Sequence, residues 1–180
     1  LSTFRRLQSV VIRRSQLTGA TLDRLQALPI LRELTLTHCP LTDVAFEHVA
    51  KIPHLMLVDL SSTQVTDAGL VKLKEMPELK YVLFSASRLT DAGMERLAEL
   101  PQLERIVLDQ TPIGDAGIAA LSKLTKVKVL GLREATITDR AVADLAKMQS
   151  LTTLYLNRTK LSEEAYQELE KALKPNTVKR

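Results

Sequence analysis

The chain has 180 residues, of which 45% are hydrophobic, 26% charged and only 3% aromatic, with no Trp. These figures suit one globular domain whose core is aliphatic, and no apolar run approaches the roughly 18 residues of a membrane span. The net charge of +4 is local: Arg5, Arg6, Arg13, Arg14 and Arg24 against Asp23 place +4 in residues 1–30, while 31–159 carry −1 and 160–180 carry +1. A basic end this short, without interleaved aromatics, argues against a nucleic-acid footprint and reads as a solvated edge. The single Cys39 excludes an internal disulfide and, with no signal segment in the sequence, favours a cytoplasmic location.

Repetition organises the rest. The phrase Val65-Thr66-Asp67-Ala68-Gly69-Leu70 returns as Leu41–Phe46, Leu89–Met94, Ile113–Ile118 and Ile137–Val142, always 24 residues on. A fixed period of this size marks a solenoid. Seven units begin at Leu7, Leu31, Leu55, Leu79, Leu103, Val127 and Leu151 and fill residues 7–174. Counting backwards, residues 1–6 read as the end of a preceding repeat's helix, which implies a natural protein extending further upstream and an uncapped N-terminal edge open to edge-to-edge self-association. All 180 residues are read as a single domain.

Each unit opens with apolar residues at positions one, four and six, as in Leu55, Val58 and Leu60. Positions four and six alternate as a strand does. The ninth position is Ser15, Cys39, Thr63, Ser87, Thr111, Ala135 and Thr159 in turn, and its hydroxyl or thiol is expected to serve the backbone of a turn. A helix is then predicted. Thr66, Thr90 and Thr138 are expected to be N-caps, Asp67, Asp91 and Asp139 to meet the helix dipole, and Val65 with Leu70 to form a hydrophobic staple. Pro53, Pro77 and Pro101 end the helices. A small residue at position fifteen (Thr21, Ala45, Gly69, Gly93, Gly117, Ala141, Ala165) is expected to let neighbouring helices stack closely. In the last unit the helix runs on through Glu168, Glu170 and Lys171 until Pro175. Residues 175–180 then form a capping tail, with a short closing strand at 176–178.

The pattern Leu-x-x-Leu-x-Leu-x-x-Thr-x-Leu-Thr-Asp-Ala-Gly-Leu resembles a leucine-rich repeat. It is most similar to the ribonuclease-inhibitor-like and cysteine-containing subfamilies and to bacterial repeat proteins rich in LTDAGL. The usual ninth-position Asn is replaced by Ser, Thr, Cys or Ala, unlike extracellular receptors. The resemblance implies an α/β horseshoe, a right-handed solenoid with a parallel sheet on the concave side and helices on the convex side. It also implies a non-catalytic role in binding proteins.

Strand parity places positions three, five and seven on the concave face. Leu57, Tyr81, Leu83, Val107 and Val129 should form one apolar strip with Tyr155 at its far end, rimmed by Asp59, Arg105, Asp109 and Arg133. An apolar centre with a polar rim containing Tyr and Arg is the composition of a protein interface. The partner is a protein whose identity the sequence does not give. Two other readings stay open: a spacer packing within a larger multidomain protein, and the substrate-recognition arm of a ubiquitin-ligase-like effector. No catalytic residue, cofactor or metal site is predicted. His38, His48 and His54 do not converge, Cys39 beside His38 has no third residue to orient a base, and helix N-terminal charge accounts for the Asp43, Asp67, Asp91, Asp115 and Asp139 row.

Overall fold

A computed structural model gives the structure of the protein and describes residues 6–17, 19–175 and 177–180. The expectation for residues 1–6 thus falls, Arg6 apart, outside the described residues, as does Asn176 of the closing strand. Eight parallel strands follow one another in sequence order: β1 (Ser9–Arg13), β2 (Glu33–Thr37), β3 (Leu57–Asp59), β4 (Tyr81–Leu83), β5 (Arg105–Val107), β6 (Val129–Gly131), β7 (Thr153–Tyr155) and β8 (Val178–Lys179). From β1 to β7 every pairing joins residues 24 apart, such as Leu57 with Tyr81 and Tyr81 with Arg105. Parallel neighbours need a long crossover, and the helical segments supply it. These are α1 (Gly19–Leu22), α2 (Asp43–Ala50), α3 (Asp91–Ala98), α4 (Asp115–Leu121), α5 (Val142–Lys147) and α6 (Glu163–Ala172), with 3-10 turns at Asp23–Ala27, Gly69–Glu75 and Asp139–Ala141. The fold class is an α/β solenoid.

The core lies between sheet and helices. Leu34, Leu36, Val58, Leu60, Val82, Phe84, Ile106 and Leu108 are all fully buried, so positions four and six point inward as alternation requires. Val65 and Leu70, the staple pair, are buried beside them. Hydroxyls at the ninth position bond the turn backbone: Thr63 Oγ1 donates to the Leu60 carbonyl at 2.7 Å and Thr159 Oγ1 to Leu156 at 2.9 Å.

The eighth position was not anticipated. Arg14, His38, Ser62, Ala86, Gln110, Glu134 and Arg158 all have φ between 51° and 60°. None is Gly or Asn, the residues that enter the left-handed region at least cost. The chain is held there by the next repeat: Ser62 N–H donates to the Ser85 carbonyl at 2.8 Å and Ala86 N–H to Asp109 at 2.8 Å. The hydrogen-bond ladder thus continues past the strand and around the corner.

The Thr-Asp-x-Gly phrase works differently from the expectation. Asp67 reaches forward to the next repeat, where it accepts from Thr90 N–H at 2.9 Å and Thr90 Oγ1 at 2.5 Å. Asp43 does the same to Thr66 (2.7 and 2.7 Å) and Asp115 to Thr138 (2.7 and 2.6 Å), while Asp91 bonds Gly114 N–H at 2.7 Å. Thr138 also accepts a cap bond from Arg140 N–H, but Thr90 caps nothing, and Thr66 is not an N-cap: its Oγ1 accepts from Ala68 N–H in the turn ahead of a 3-10 segment that starts at Gly69. The threonines are therefore chiefly donors to the preceding aspartate. The glycines follow from this. A Cβ on Gly69, Gly93 or Gly117 would stand 2.5, 2.3 or 2.5 Å from the Oδ1 of Asp43, Asp67 or Asp91. The aspartate of the preceding repeat, more than helix stacking, keeps the position small. Ala141 and Ala165 hold the same place behind Asp115 and Asp139, so the position admits alanine at two repeats.

The two ends differ. At the C-terminal end, Leu154 and Leu156 N–H groups donate to Thr177 and Lys179, and Arg180 lies 4.6 Å over the Tyr166 ring while bonding Glu163 at 2.8 Å. At the other end Leu7, Val10, Ile12 and Leu17 are only half-buried, although their counterparts Leu31, Leu34, Leu36 and Leu41 are buried.

Candidate functional site

The sheet face turned away from the core carries the candidate residues in two rows. The third-position row runs Leu57, Tyr81, Arg105, Val129 and Thr153, and the fifth-position row Asp59, Leu83, Val107, Gly131 and Tyr155. Neighbours within a row stand about 4.8 Å apart across the sheet. Leu57, Tyr81, Leu83, Val107, Val129 and Tyr155 are half-buried, each shielded by its lateral neighbours. Register sets Leu57 beside Tyr81 and Leu83 beside Val107, with Tyr81 and Leu83 on the same strand. Arg105 is exposed and separates Tyr81 from Val129 in the third-position row, so Val129 meets the strip only diagonally from Val107.

The polar rim is partly committed. Asp59 Oδ1 accepts from Ser61 N–H at 3.0 Å. Asp109 accepts from Arg133 N–H at 2.9 Å and from its guanidinium at 2.8 Å. The guanidinium also bonds Asn157 and lies 3.9 Å from the centroid of the Tyr155 ring. Asp109, Arg133, Tyr155 and Asn157 are thus one connected unit, with the Arg guanidinium over an aromatic face. Gly131 makes room for it, because a Cβ there would lie 2.9 Å from both Asp109 Oδ1 and Val107 Cγ1. The signal for this unit was present in the sequence as the lone glycine of the fifth-position row, next to Arg133. Arg105 has no ion pair among the described residues and is free to meet a partner.

Beside this face, the second positions form charge ladders. Glu104 bridges Lys128 (2.8 Å) and Lys80 (3.1 Å), whose hydrogen bonds hold its carboxyl below the ordinary range. Glu78 takes bonds from His54 and Arg32, and its carboxyl is likewise lowered, first by His54. His48 pairs with Asp23, and the buried Cys39 thiol faces the Thr37 carbonyl at 3.5 Å. Among the described residues no group of three His, Cys, Asp or Glu side chains could hold a metal ion, and no helix is long and apolar enough to cross a membrane.

At the N-terminal end of the same face, Arg13, Arg14, Thr37 and His38 line an open cavity of about 470 Å³. The sequence expectation of a merely solvated basic edge missed it. Register brings the four together, pairing Arg13 with Thr37 while Arg14 N–H bonds the Thr37 carbonyl at 3.0 Å.

Residues 51–74 match the family described as Leucine Rich repeat. Two solved structures share the architecture. An internalin (inlF) from Listeria monocytogenes superposes with a TM-score of 0.65 at 17% identity, covering 99% of this chain and 56% of its own. A leucine-rich-repeat protein from Leptospira interrogans gives a TM-score of 0.65 at 19% identity, covering 87% of this chain and 38% of its own. The chain has the leucine-rich-repeat fold. No curated protein matches the sequence. This chain spans little more than half of the first leucine-rich-repeat structure and under two fifths of the second. In such a solenoid the strands line the concave side, so the two rows described above are the concave rows, and Val44 and Val71, 68% and 42% exposed, lie on the helical side.

Proposed function

We propose that the chain is a non-catalytic protein-binding module that engages its partner through the concave sheet face. The observation that carries this reading is the set of six half-buried apolar side chains spread over two rows on five neighbouring strands, interrupted by Arg105, which has no ion pair among the described residues, and ending at Tyr155 in the connected unit with Asp109 and Arg133. Contiguous exposed apolar surface on a soluble protein marks an interaction site, and Tyr and Arg are the residues that dominate binding energy. Residues 1–180 act as one unit in this reading, a member of the 24-residue group of leucine-rich repeats that replaces the ninth-position Asn by Ser, Thr or Cys.

Affinity capture tests it. The purified chain, a Tyr81→Ala/Leu83→Asp variant and a Val44→Asp/Val71→Asp variant are compared, each checked by circular dichroism. A protein retained by the first and third and lost by the second is the expected result. Loss by the third alone would move the interface to the helical side.

A further inference from the structure

The geometry points to the cavity lined by Arg13, Arg14, Thr37 and His38 as an anion-recognition subsite of the concave face, taking the carboxylates of an acidic peptide segment in the partner. This rests on the concave-face reading above and adds the partner's chemistry to it.

Three basic side chains meet a cavity of about 470 Å³ whose lining includes no carboxylate. None of Arg13, Arg14 and His38 makes an ion pair among the described residues, whereas the other two arginines at the seventh and eighth positions do: Arg133 to Asp109 and Arg158 to Glu134. Like charges gathered without counter-charge repel one another, and a bound anion relieves that repulsion. Arg14 and His38 share the left-handed corner of successive repeats, which puts them on adjacent rungs about 4.8 Å apart. Thr37, on the rung beside Arg13, is buried. A planar guanidinium fork matches a carboxylate with two parallel hydrogen bonds.

The surroundings set the direction of the segment. Along the seventh and eighth positions the next rungs carry Ser61, Ser62, Ser85 and Ala86, which are uncharged. The first acids on these rails are Asp109 and Glu134, both already bonded to arginines. A peptide crossing the strands therefore meets the two arginines first, then uncharged seventh and eighth positions, with the Asp59 carboxylate, bonded to Ser61 N–H, standing beside Leu57 and Leu83. An acidic residue followed by aliphatic or aromatic residues fits that order. Nucleic acid fits poorly, since the two guanidiniums, Arg13 and Arg14, stand on a single rung and no aromatic lines the cavity for base stacking.

Fluorescence anisotropy tests the proposal with a labelled octaglutamate peptide, an octaglutamine control and a ten-nucleotide oligouridine. Arg13→Ser/Arg14→Ser is compared with Arg88→Ser/Lys123→Ser, which removes equal charge elsewhere. Octaglutamate is expected to bind at low salt, octaglutamine not to bind, and the first variant to weaken octaglutamate at least 10-fold while the second stays within 2-fold. Equal weakening by both variants, equal affinity for both peptides, or no octaglutamate binding would overturn it. Tighter oligouridine binding lost in the first variant would also overturn it, in favour of nucleic acid. A captured partner lost by Tyr81→Ala/Leu83→Asp yet kept by Arg13→Ser/Arg14→Ser would sink this subsite and leave the concave-face reading standing.

Discussion

Replacing Asp67 by Ala removes two hydrogen bonds that tie one repeat to the next, from Thr90 N–H and Thr90 Oγ1. A hydrogen bond to a charged acceptor is worth about 1.5–3 kcal/mol net. Asp67 is half-buried and Thr90 exposed, so water competes and the low end applies. The expected loss from the two bonds together is about 3 kcal/mol, or about 6–12 °C in Tm for a chain of this size. Gly93→Ala supplies the second arm of a cycle. In the native background its Cβ would stand 2.3 Å from Asp67 Oδ1 and displace the carboxylate, costing about 1 kcal/mol. In the Asp67→Ala background that oxygen is gone, and alanine gains up to about 1 kcal/mol over glycine in a helix. The sign of Gly93→Ala should therefore reverse. Urea unfolding of the four proteins measures it, with hydrogen exchange as a check that the repeats unfold together. Equal effects of Gly93→Ala in both backgrounds would refute the aspartate account of the small position.

Ala86→Gly relieves a side chain held at φ 51° and should raise stability by about 1 kcal/mol, read as a higher urea midpoint. Phe84→Ala empties a fully buried site and should cost about 3–5 kcal/mol in the same assay. The carboxyls of Glu78, Glu104 and Asp139 lie below their ordinary values of 4.5, 4.5 and 3.8, Asp139 through the Ser162 N–H. Their contribution is present at neutral pH and is lost as pH falls below those values toward the folded pKa. Tm should therefore drop between about pH 5 and 3, and Glu104→Gln should show a shallower drop in a calorimetric pH series.

The period of 24 and the inward fourth and sixth positions were readable because burial is periodic: a strand shows its two faces to different solvents, and Val58, Val82 and Ile106 report that directly. Contacts between repeats were harder to read. Asp67 bonds Thr90 across 23 residues, and nothing local distinguishes a carboxylate aimed at its own helix from one aimed at the next. The left-handed corner carried no glycine to announce it, since Ala86 and Glu134 adopt it under the pull of neighbouring backbone. On the concave face, parity placed Tyr81, Leu83 and Val107 on the outward rows. It did not show that Arg133 folds back on Tyr155, because that depends on Gly131 leaving space. The cavity at Arg13 and His38 was hidden for a similar reason, its residues being 24 apart in sequence and one rung apart in space.

Hydroxyl-radical footprinting of the chain with and without its captured partner tests the concave-face claim most directly. Side chains buried by the partner lose reactivity. The account predicts protection at Leu57, Tyr81, Leu83 and Tyr155 and unchanged oxidation at Val44 and Val71. Protection at Val44 and Val71, with Tyr81 and Tyr155 as reactive as in the free chain, would contradict it.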